Sequence, residues 1–326
     1  MVGSGVITWL RDSDPALRWQ VERDLVGEPP EVWAATRAKI ATEGFGARLL
    51  ALQDPDGQWA GGAFFPAHDP EAAEEAGQPW TATTWTLNSL REWGLDPAVL
   101  RERRTAELLA ENSRWEYQNL PYWSGEVDCC INAWTVANGL WLGADVTAIV
   151  DWFLAHRLSD GGWNCEWVEG STRSSFHSTL NSLKGLLAYD VATGGTDASR
   201  AARHSGEEYL LRRGLFRRLS TGEPVAPWVN RFAYPIRWSY DVLNAAEYFR
   251  RAALFDGAEP DPRLADAVEL IRTARQPDGR WLQAGRLPGR MWFEVDVPAG
   301  LPSKWLTLFG TRVLTWWDSR GVSPNN

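Results

Sequence analysis

The chain has 326 residues, 23% of them charged and 44% hydrophobic, ordinary proportions for a folded globular protein. A disordered polymer, a collagen and a disulfide-dense miniprotein are excluded. The formal charge is 33 − 42 = −9, and an acidic chain repels phosphate, which argues against a broad nucleic-acid interface. Tryptophan is the outlier, with 21 residues against 7 Tyr and 11 Phe. That is enough indole to wall a cavity or to wedge helices apart.

No stretch approaches the roughly 18–20 apolar residues of a membrane helix. The start, MVGSGVITWLRDSD, has neither a basic n-region nor a cleavable apolar core, so no secretory signal is read. The cysteines are Cys129, Cys130 and Cys165. An odd, small number argues against a disulfide framework and for a reducing, cytoplasmic setting.

Taken in chain order, the first 30 residues, with DPALRWQVERDL, predict an added N-terminal helix. LLALQDPDGQWAGG (49–62) predicts the end of a helix, a polar Asp-Gly turn, and Trp59 two residues after the Gly. Residues 60–78 follow as a loop with His68 and an acidic run, Asp69, Glu71, Glu74 and Glu75, read as a solvated surface. Helical runs then alternate in character. The apolar, small-residue ones lie at 79–95, 128–143, 174–189, 237–252 and 302–317, and are predicted to be inner helices. Amphipathic ones lie between them at 97–112, 145–158, 198–213 and 261–276, with charges on one face, and are predicted to be outer helices. The Asp-Gly-x-Trp turn recurs at 153–167, giving Trp163, and at 272–285, giving Trp281. Asp14-Pro15, Asp96-Pro97 and Asp261-Pro262 each place a capping carboxylate before a proline suited to the first helical turn. No segment alternates as a strand does. The repeating unit is a helical hairpin. A ring of about five to six hairpins leaves no apolar end uncovered, whereas an open stack leaves two. Residues 1–326 are therefore read as one all-α domain.

The turns with Gln53 to Trp59 and Gln276 to Trp281 resemble the QW motif of squalene cyclases and their relatives. That group includes terpene cyclase domains and the β-subunits of protein prenyltransferases. The resemblance covers most of residues 30–317 and implies an α/α toroid, with inner helices forming a barrel and outer helices surrounding it. The acid motif of protonation-initiated cyclases, Asp-x-Asp-Asp, is absent; the nearest segment, FEVDVPAG (293–300), has Glu294 and Asp296.

A second resemblance concerns a metal. Protein prenyltransferases hold zinc with Asp and Cys two apart at the start of one inner helix and a His at the start of the next. Here VDCCINAW offers Asp128 and Cys130, and SSFHSTLNSL offers His177 one hairpin later. Oxygen, sulfur and nitrogen donors of this kind suit zinc. Cys129 lies about 100° around the helix from Cys130, so Cys130 is the expected ligand. Cys165, in the loop leading to the His177 helix, is a possible fourth. Cys130→Ala and His177→Ala are each expected to lose the zinc. The relatives clamp a diphosphate with Arg and Lys just before the Asp-x-Cys, but NLPYWSGEV has no basic residue there; Arg173, Arg231, Arg237 and Lys304 are the possible substitutes. Lanthipeptide cyclases, another zinc toroid, use an adjacent Cys-His pair that is absent here.

Tyr240, Asp241 and Glu294 are candidate proton donors or bases near inner-helix starts, with Glu166 and Glu169 as further loop carboxylates and Asn181 and Lys184 on the His177 face. Trp85, Trp134, Trp167, Trp238, Trp292 and Trp305, with Trp80, are candidate walls for a small hydrophobic molecule. Trp59, Trp163 and Trp281 are read as wedges between helices, and His156 and His204 as outer-helix residues. Three readings stay open. One is a zinc enzyme acting on a small hydrophobic substrate by cyclisation, hydration, elimination or hydrolysis. Another is a prenyl or alkyl transferase, whose relatives work with a separate helical subunit. The last is a non-catalytic binder of a hydrophobic compound.

Overall fold

The computed structural model describes residues 3–67 and 76–319; His68 and the acidic run from Asp69 to Glu75 lie outside these. Regular structure in the described chain is helical, apart from isolated bridges and one two-residue strand pair, Trp281–Leu282 with Pro302–Ser303. No helix among these residues is long and apolar enough to cross a membrane.

Six helices form the inner ring: α2 (Pro15–Val21), α5 (Thr83–Trp93), α8 (Cys129–Leu142), α10 (Phe176–Thr193), α12 (Val242–Asp256) and α14 (Lys304–Asp318). Each packs on the next, and α14 packs back on α2. The seam between α2 and α5 is closed by polar contacts: the Trp19 indole N–H donates to the Trp93 carbonyl at 2.7 Å and the Gln20 amide to the Glu92 carbonyl at 3.4 Å. Outside them lie α1 (Ser4–Arg11), α4 (Gly44–Ala51), α7 (Thr105–Asn112), α9 (Thr147–Ala155), α11 (Asp197–Leu211) and α13 (Ala265–Thr273). Two further helices, α3 (Pro30–Ala38) and α6 (Pro97–Glu102), extend this layer. The architecture is an all-α toroid. The first 30 residues hold two helices where one was expected. The Asp14 carboxylate caps the second by accepting from the Ala16 N–H at 2.9 Å, with Pro15 at its first position, and that second helix is a member of the inner ring.

The three Gly-x-Trp turns are built alike. The indole N–H of Trp59, Trp163 and Trp281 donates to the carbonyl ten residues earlier, those of Leu49, Phe153 and Ile271, at 2.7, 3.0 and 2.9 Å. Their backbone N–H groups each donate to a threonine near the start of the next inner helix, Thr83, Thr179 and Thr307, at 3.1, 3.2 and 3.1 Å. One indole thus ties an outer helix's last turn to the following inner helix. Gly57, Gly161 and Gly279 stand two residues before each Trp with φ of 88°, 109° and 88°, a region that side chains other than glycine rarely adopt. All three indoles are almost completely buried. Replacing Trp281 by Phe keeps the ring and orphans the Ile271 carbonyl. The expected cost is about 1–3 kcal/mol of unfolding free energy. Chemical denaturation measures it, and an unchanged midpoint contradicts the wedge role.

The inner helices approach closely because they carry small residues. A Cβ at Gly185 on α10 would stand 2.7 Å from the Ala133 Cα on α8. All inner helices run in one sense, so their N-termini share one rim of the ring, and the functional candidates gather there.

Candidate functional site

Helix α8 begins at Cys129 because Asp128 caps it. The Asp128 Oδ1 accepts the N–H of Cys130 at 2.6 Å and of Ile131 at 3.2 Å. The Glu126 carboxylate fixes the cap from behind, accepting the Asp128 N–H at 2.6 Å. Across from this first turn, Trp163 anchors a loop that goes directly into a 3-10 turn, Cys165–Glu169, capped by the Asn164 side chain. Cys165 therefore arrives over the start of α8. Its Sγ stands 3.4 Å from Cys129 Sγ, 3.3 Å from Cys130 Sγ and 2.8 Å from Asp128 Oδ1. Donor atoms of Asp128, Cys129, Cys130 and Cys165 lie within 4.8 Å of one another, a group that can hold a metal ion. Two neutral donors from α10 support the sulfurs: the Ser178 hydroxyl donates to Cys165 at 3.3 Å and the Asn181 amide to Cys130 at 3.4 Å.

Four acidic groups share this partly dry pocket. Burial, then the charge of Cys165, pushes the Asp128 carboxyl up to about 8. Hydrogen bonds from Cys129 and Cys130 pull the Cys165 thiol well down. Cys129 is held up chiefly by burial, and Cys130 chiefly by its bond to Cys129. The donor chemistry fits a thiophilic divalent ion, which takes thiolates and relieves their crowding. Around a tetrahedral zinc with bonds of about 2.3 Å, sulfurs stand roughly 3.7 Å apart. The Cys165 thiol here stands a few tenths of an ångström closer to the other two, at 3.4 and 3.3 Å.

The placement differs from the sequence expectation at two residues. Cys129 joins the group beside Cys130, because Cys165 lies where both can reach it although their Cβ directions diverge. His177, in the first turn of α10, is outside the group. Its Nδ1 accepts the Tyr240 N–H at 2.9 Å, and its ring lies against Trp228 and Trp238. With Nδ1 accepting, the neutral ring carries its proton on Nε2 and offers no lone pair there. Burial lowers its pKa. Sequence reasoning also missed Glu126 and Ser178. Their signal is weak, being proximity in sequence to Asp128 and His177.

Other candidates sit elsewhere. The buried Tyr240 hydroxyl is spent on the Leu215 carbonyl at 2.6 Å. Glu294 is exposed and paired with Arg286. Glu166 and Glu169 are exposed. His156 ends α9, stacked between Trp152 and Trp167, and the Trp167 indole donates to the Val127 carbonyl at 2.8 Å, just before Asp128. His204 is on the exposed face of α11. Arg173 and Arg231 are exposed and Lys304 is on α14, so these do not converge with Arg237.

Asp241 caps α12, its Oδ1 accepting the Asn244 N–H at 2.8 Å, and it is buried. Burial, only partly offset by the Asn244 bond and the Lys184 charge, raises its carboxyl from 3.8 to about 7. The folded chain then binds this proton more tightly than the unfolded chain, so stability falls as pH rises from about 4 to about 7. Asn caps as well as Asp. Asp241→Asn should flatten that slope and unfold at a higher temperature than the parent above pH 7; an unaltered slope contradicts the assignment.

The ring's centre is layered. Near the rim, Trp80, Trp85 and Trp134 meet at centroid distances of 4.7 and 4.8 Å with Phe64 beside them, and the Arg237 guanidinium lies 5.1 Å over Trp80. The cavity that Trp80, Trp85, Arg237 and Trp292 line has only about 20 Å³, room for about one water. Little open space is left between these rim indoles. One to two turns deeper the lining is polar. Arg91 Nε donates to Asn138 Oδ1 at 2.9 Å, the Asn138 amide to Asn88 at 2.9 Å, and Lys184 Nζ to Asn244 Oδ1 at 2.6 Å. Arg91, Lys184 and Arg251, from α5, α10 and α12, act on one another electrostatically, with Glu92 acting on all three in the opposite sense. Burial, with this mutual repulsion, lowers Arg91 to about 10 and Lys184 to about 8. Trp238 is 37% exposed near His177, and Trp305 stacks on Tyr234 at 4.4 Å.

No family model matches the chain, and no curated protein matches its sequence. Among the solved structures that resemble it are the following two. The type II terpene cyclase MstE from Scytonema is 14% identical over 96% of this chain and 86% of that one, with a TM-score of 0.44. A protein from Actinoplanes is 17% identical over 94% of this chain and 90% of that one, also with a TM-score of 0.44.

Proposed function

We propose that the chain is a zinc-dependent toroid enzyme acting on a small hydrophobic molecule, with Cys129, Cys130, Cys165 and Asp128 as ligands. The observation that carries this is the convergence of three thiols and one carboxylate from two separate segments on one point of the rim. Bound there, zinc supplies Lewis acidity or an activated water. Asp128 is the ligand that can yield its place, because its oxygen is shared with the α8 N–H groups. Asn181 and Ser178 hold the sulfurs in orientation, in the way outer donors tune a metal site. Tyr240 and Glu294 keep structural bonds in this reading. Asp241, one residue beyond Tyr240, is a buried carboxyl raised to about 7 and is assigned the proton transfer.

The cation array of Arg91, Lys184 and Arg251 favours a second reading, alkyl or prenyl transfer from a carrier with an anionic leaving group. Buried cations held near one another, with Glu92 among them, suit an anion. The test is turnover by zinc-loaded and chelator-treated protein on C10 and C15 terpenoids, with and without a diphosphate. Zinc-dependent turnover of the free terpenoid supports the first reading. Zinc-dependent release of inorganic diphosphate with transfer to a thiol supports the second. Binding without turnover, indifferent to zinc, overturns both and leaves a hydrophobic-ligand binder.

A further inference from the structure

A sizeable cavity lies away from the metal group. It has about 510 Å³, within the roughly 300–1,000 Å³ of ligand pockets, and lies at the opposite side of the ring, where α2 and α14 meet. Its wall is apolar: Leu17, Phe45, Val295, Val297, Leu301 and Trp305. Its ionisable groups are Asp14, Glu294, Asp296, Arg280 and Lys304, with Trp9 between the last two.

The partners of these groups decide what the pocket accepts. Asp14 spends one oxygen on the Ala16 N–H at 2.9 Å and the other on the Phe45 N–H at 2.8 Å. Asp296 accepts from Gln283 at 2.9 Å and from the Ser303 hydroxyl at 2.6 Å. Glu294 is held by Arg286 at 2.5 and 3.1 Å. Every carboxylate therefore has donors from the chain. The cations are less well matched. Arg280 Nε is buried without a hydrogen-bond partner, and its nearest carboxylate oxygen, on Asp278, is 3.7 Å away. The Arg280 guanidinium lies 4.3 Å over Trp9, and the Lys304 ammonium lies 5.5 Å from the same ring, with one bond to the Asp12 carbonyl. Two cations flank one indole beside an apolar hollow; with Asp278 3.7 Å from Arg280 and the Asp12 charge acting on Lys304, what is missing is a hydrogen-bonded acceptor for Arg280 Nε.

We propose that this seam pocket binds an apolar monocarboxylic acid, with the carboxylate on Arg280 and Lys304 beside Trp9 and the hydrocarbon along Leu17, Phe45 and Trp305. An ionised acceptor makes the stronger, charge-assisted bonds, which sets an acid apart from an alcohol of the same length. Burial of the hydrocarbon supplies the affinity, and the cations supply the choice of head group.

Calorimetric titration of the full chain with dodecanoate, dodecanol and dodecylamine, each below its micellar concentration, tests this. One site is expected, with dodecanoate at least about tenfold tighter than the alcohol and the amine weakest. Arg280→Met keeps the stem packed on Trp9 and should weaken dodecanoate about tenfold while leaving dodecanol unchanged. Leu17→Trp fills the hollow and should abolish binding of both. If that variant unfolds, Val297→Trp makes the same test from the other wall. Equal binding of acid and alcohol, a preference for the amine, or an unchanged Arg280→Met overturns the proposal. None of these substitutions touches the metal group, so zinc content should remain that of the parent in each.

Discussion

Cys165→Ala should leave the chain without bound zinc. The Cys165 sulfur is the hub of the group, within 3.3 Å of Cys130, 3.4 Å of Cys129 and 2.8 Å of the Asp128 oxygen. Without it the two remaining thiols sit side by side on one helical turn with Asp128 alone and no third sulfur. Loss of even an outer-shell partner weakens metal sites about 10–100-fold, so loss of this ligand should exceed that. Elemental analysis and titration against a competing chelator measure it. The ion also stabilises the folded state by mass action, about 2.7 kcal/mol at a hundred times its dissociation constant. The zinc-dependent rise in melting temperature should therefore vanish in the same variant. His177→Ala should retain zinc, since the imidazole is spent on the Tyr240 N–H; here the structure reverses what the sequence led us to expect. Full zinc in Cys165→Ala, or none in His177→Ala, contradicts the ligand set.

The second large effect lies far from the rim. Arg203 on α11 is fully buried, with Asp190 at 2.8 Å, Glu207 at 2.7 Å and Asp256 at 2.6 Å around its guanidinium. The Ser199 hydroxyl completes Asp190 at 2.7 Å. Hydrogen bonds from these carboxylates outweigh burial and hold the Arg203 pKa above its ordinary value. Arg203→Met fills similar space and strands three carboxylates, one of them fully buried. Breaking a buried ion pair from one side costs about 3–5 kcal/mol. Thermal or denaturant unfolding should show that loss at neutral pH, with zinc content unchanged. A loss below about 1 kcal/mol would mean that water replaces the guanidinium.

The ring was legible because its signals are local and repeated. A Gly at positive φ, a Trp two residues on, and a Thr on the next helix recur three times, and Asp-Pro pairs mark helix starts that the structure confirms at Asp14, Asp96 and Asp261. Asp128 and Cys130 were legible for the same reason, as an N-cap and its neighbour in the first turn. What escaped depends on the course of loops and on partners distant in sequence. Periodicity cannot show that Cys165 returns over α8, and so brings Cys129 into reach. It cannot show that the His177 imidazole is claimed by a backbone N–H from the following hairpin. Residues 198–213 read as a charged outer face, yet Arg203 points inward because Asp190 and Asp256 from neighbouring helices await it beside Glu207 of its own helix. The centre was expected to be an open aromatic well. The indoles leave little open space in the rim layer, and the polar residues of α5, α8, α10 and α12 pair with one another beneath it.

The most direct measurement is the metal-to-protein ratio of the intact chain, purified without chelator under reducing conditions and dialysed before elemental analysis. About one zinc per chain, lost on alkylation of the three cysteines, is the result expected for a group of this donor set. A metal-free chain whose three thiols all react freely would show that the cluster holds no ion and that the chemistry proposed for the rim does not take place there.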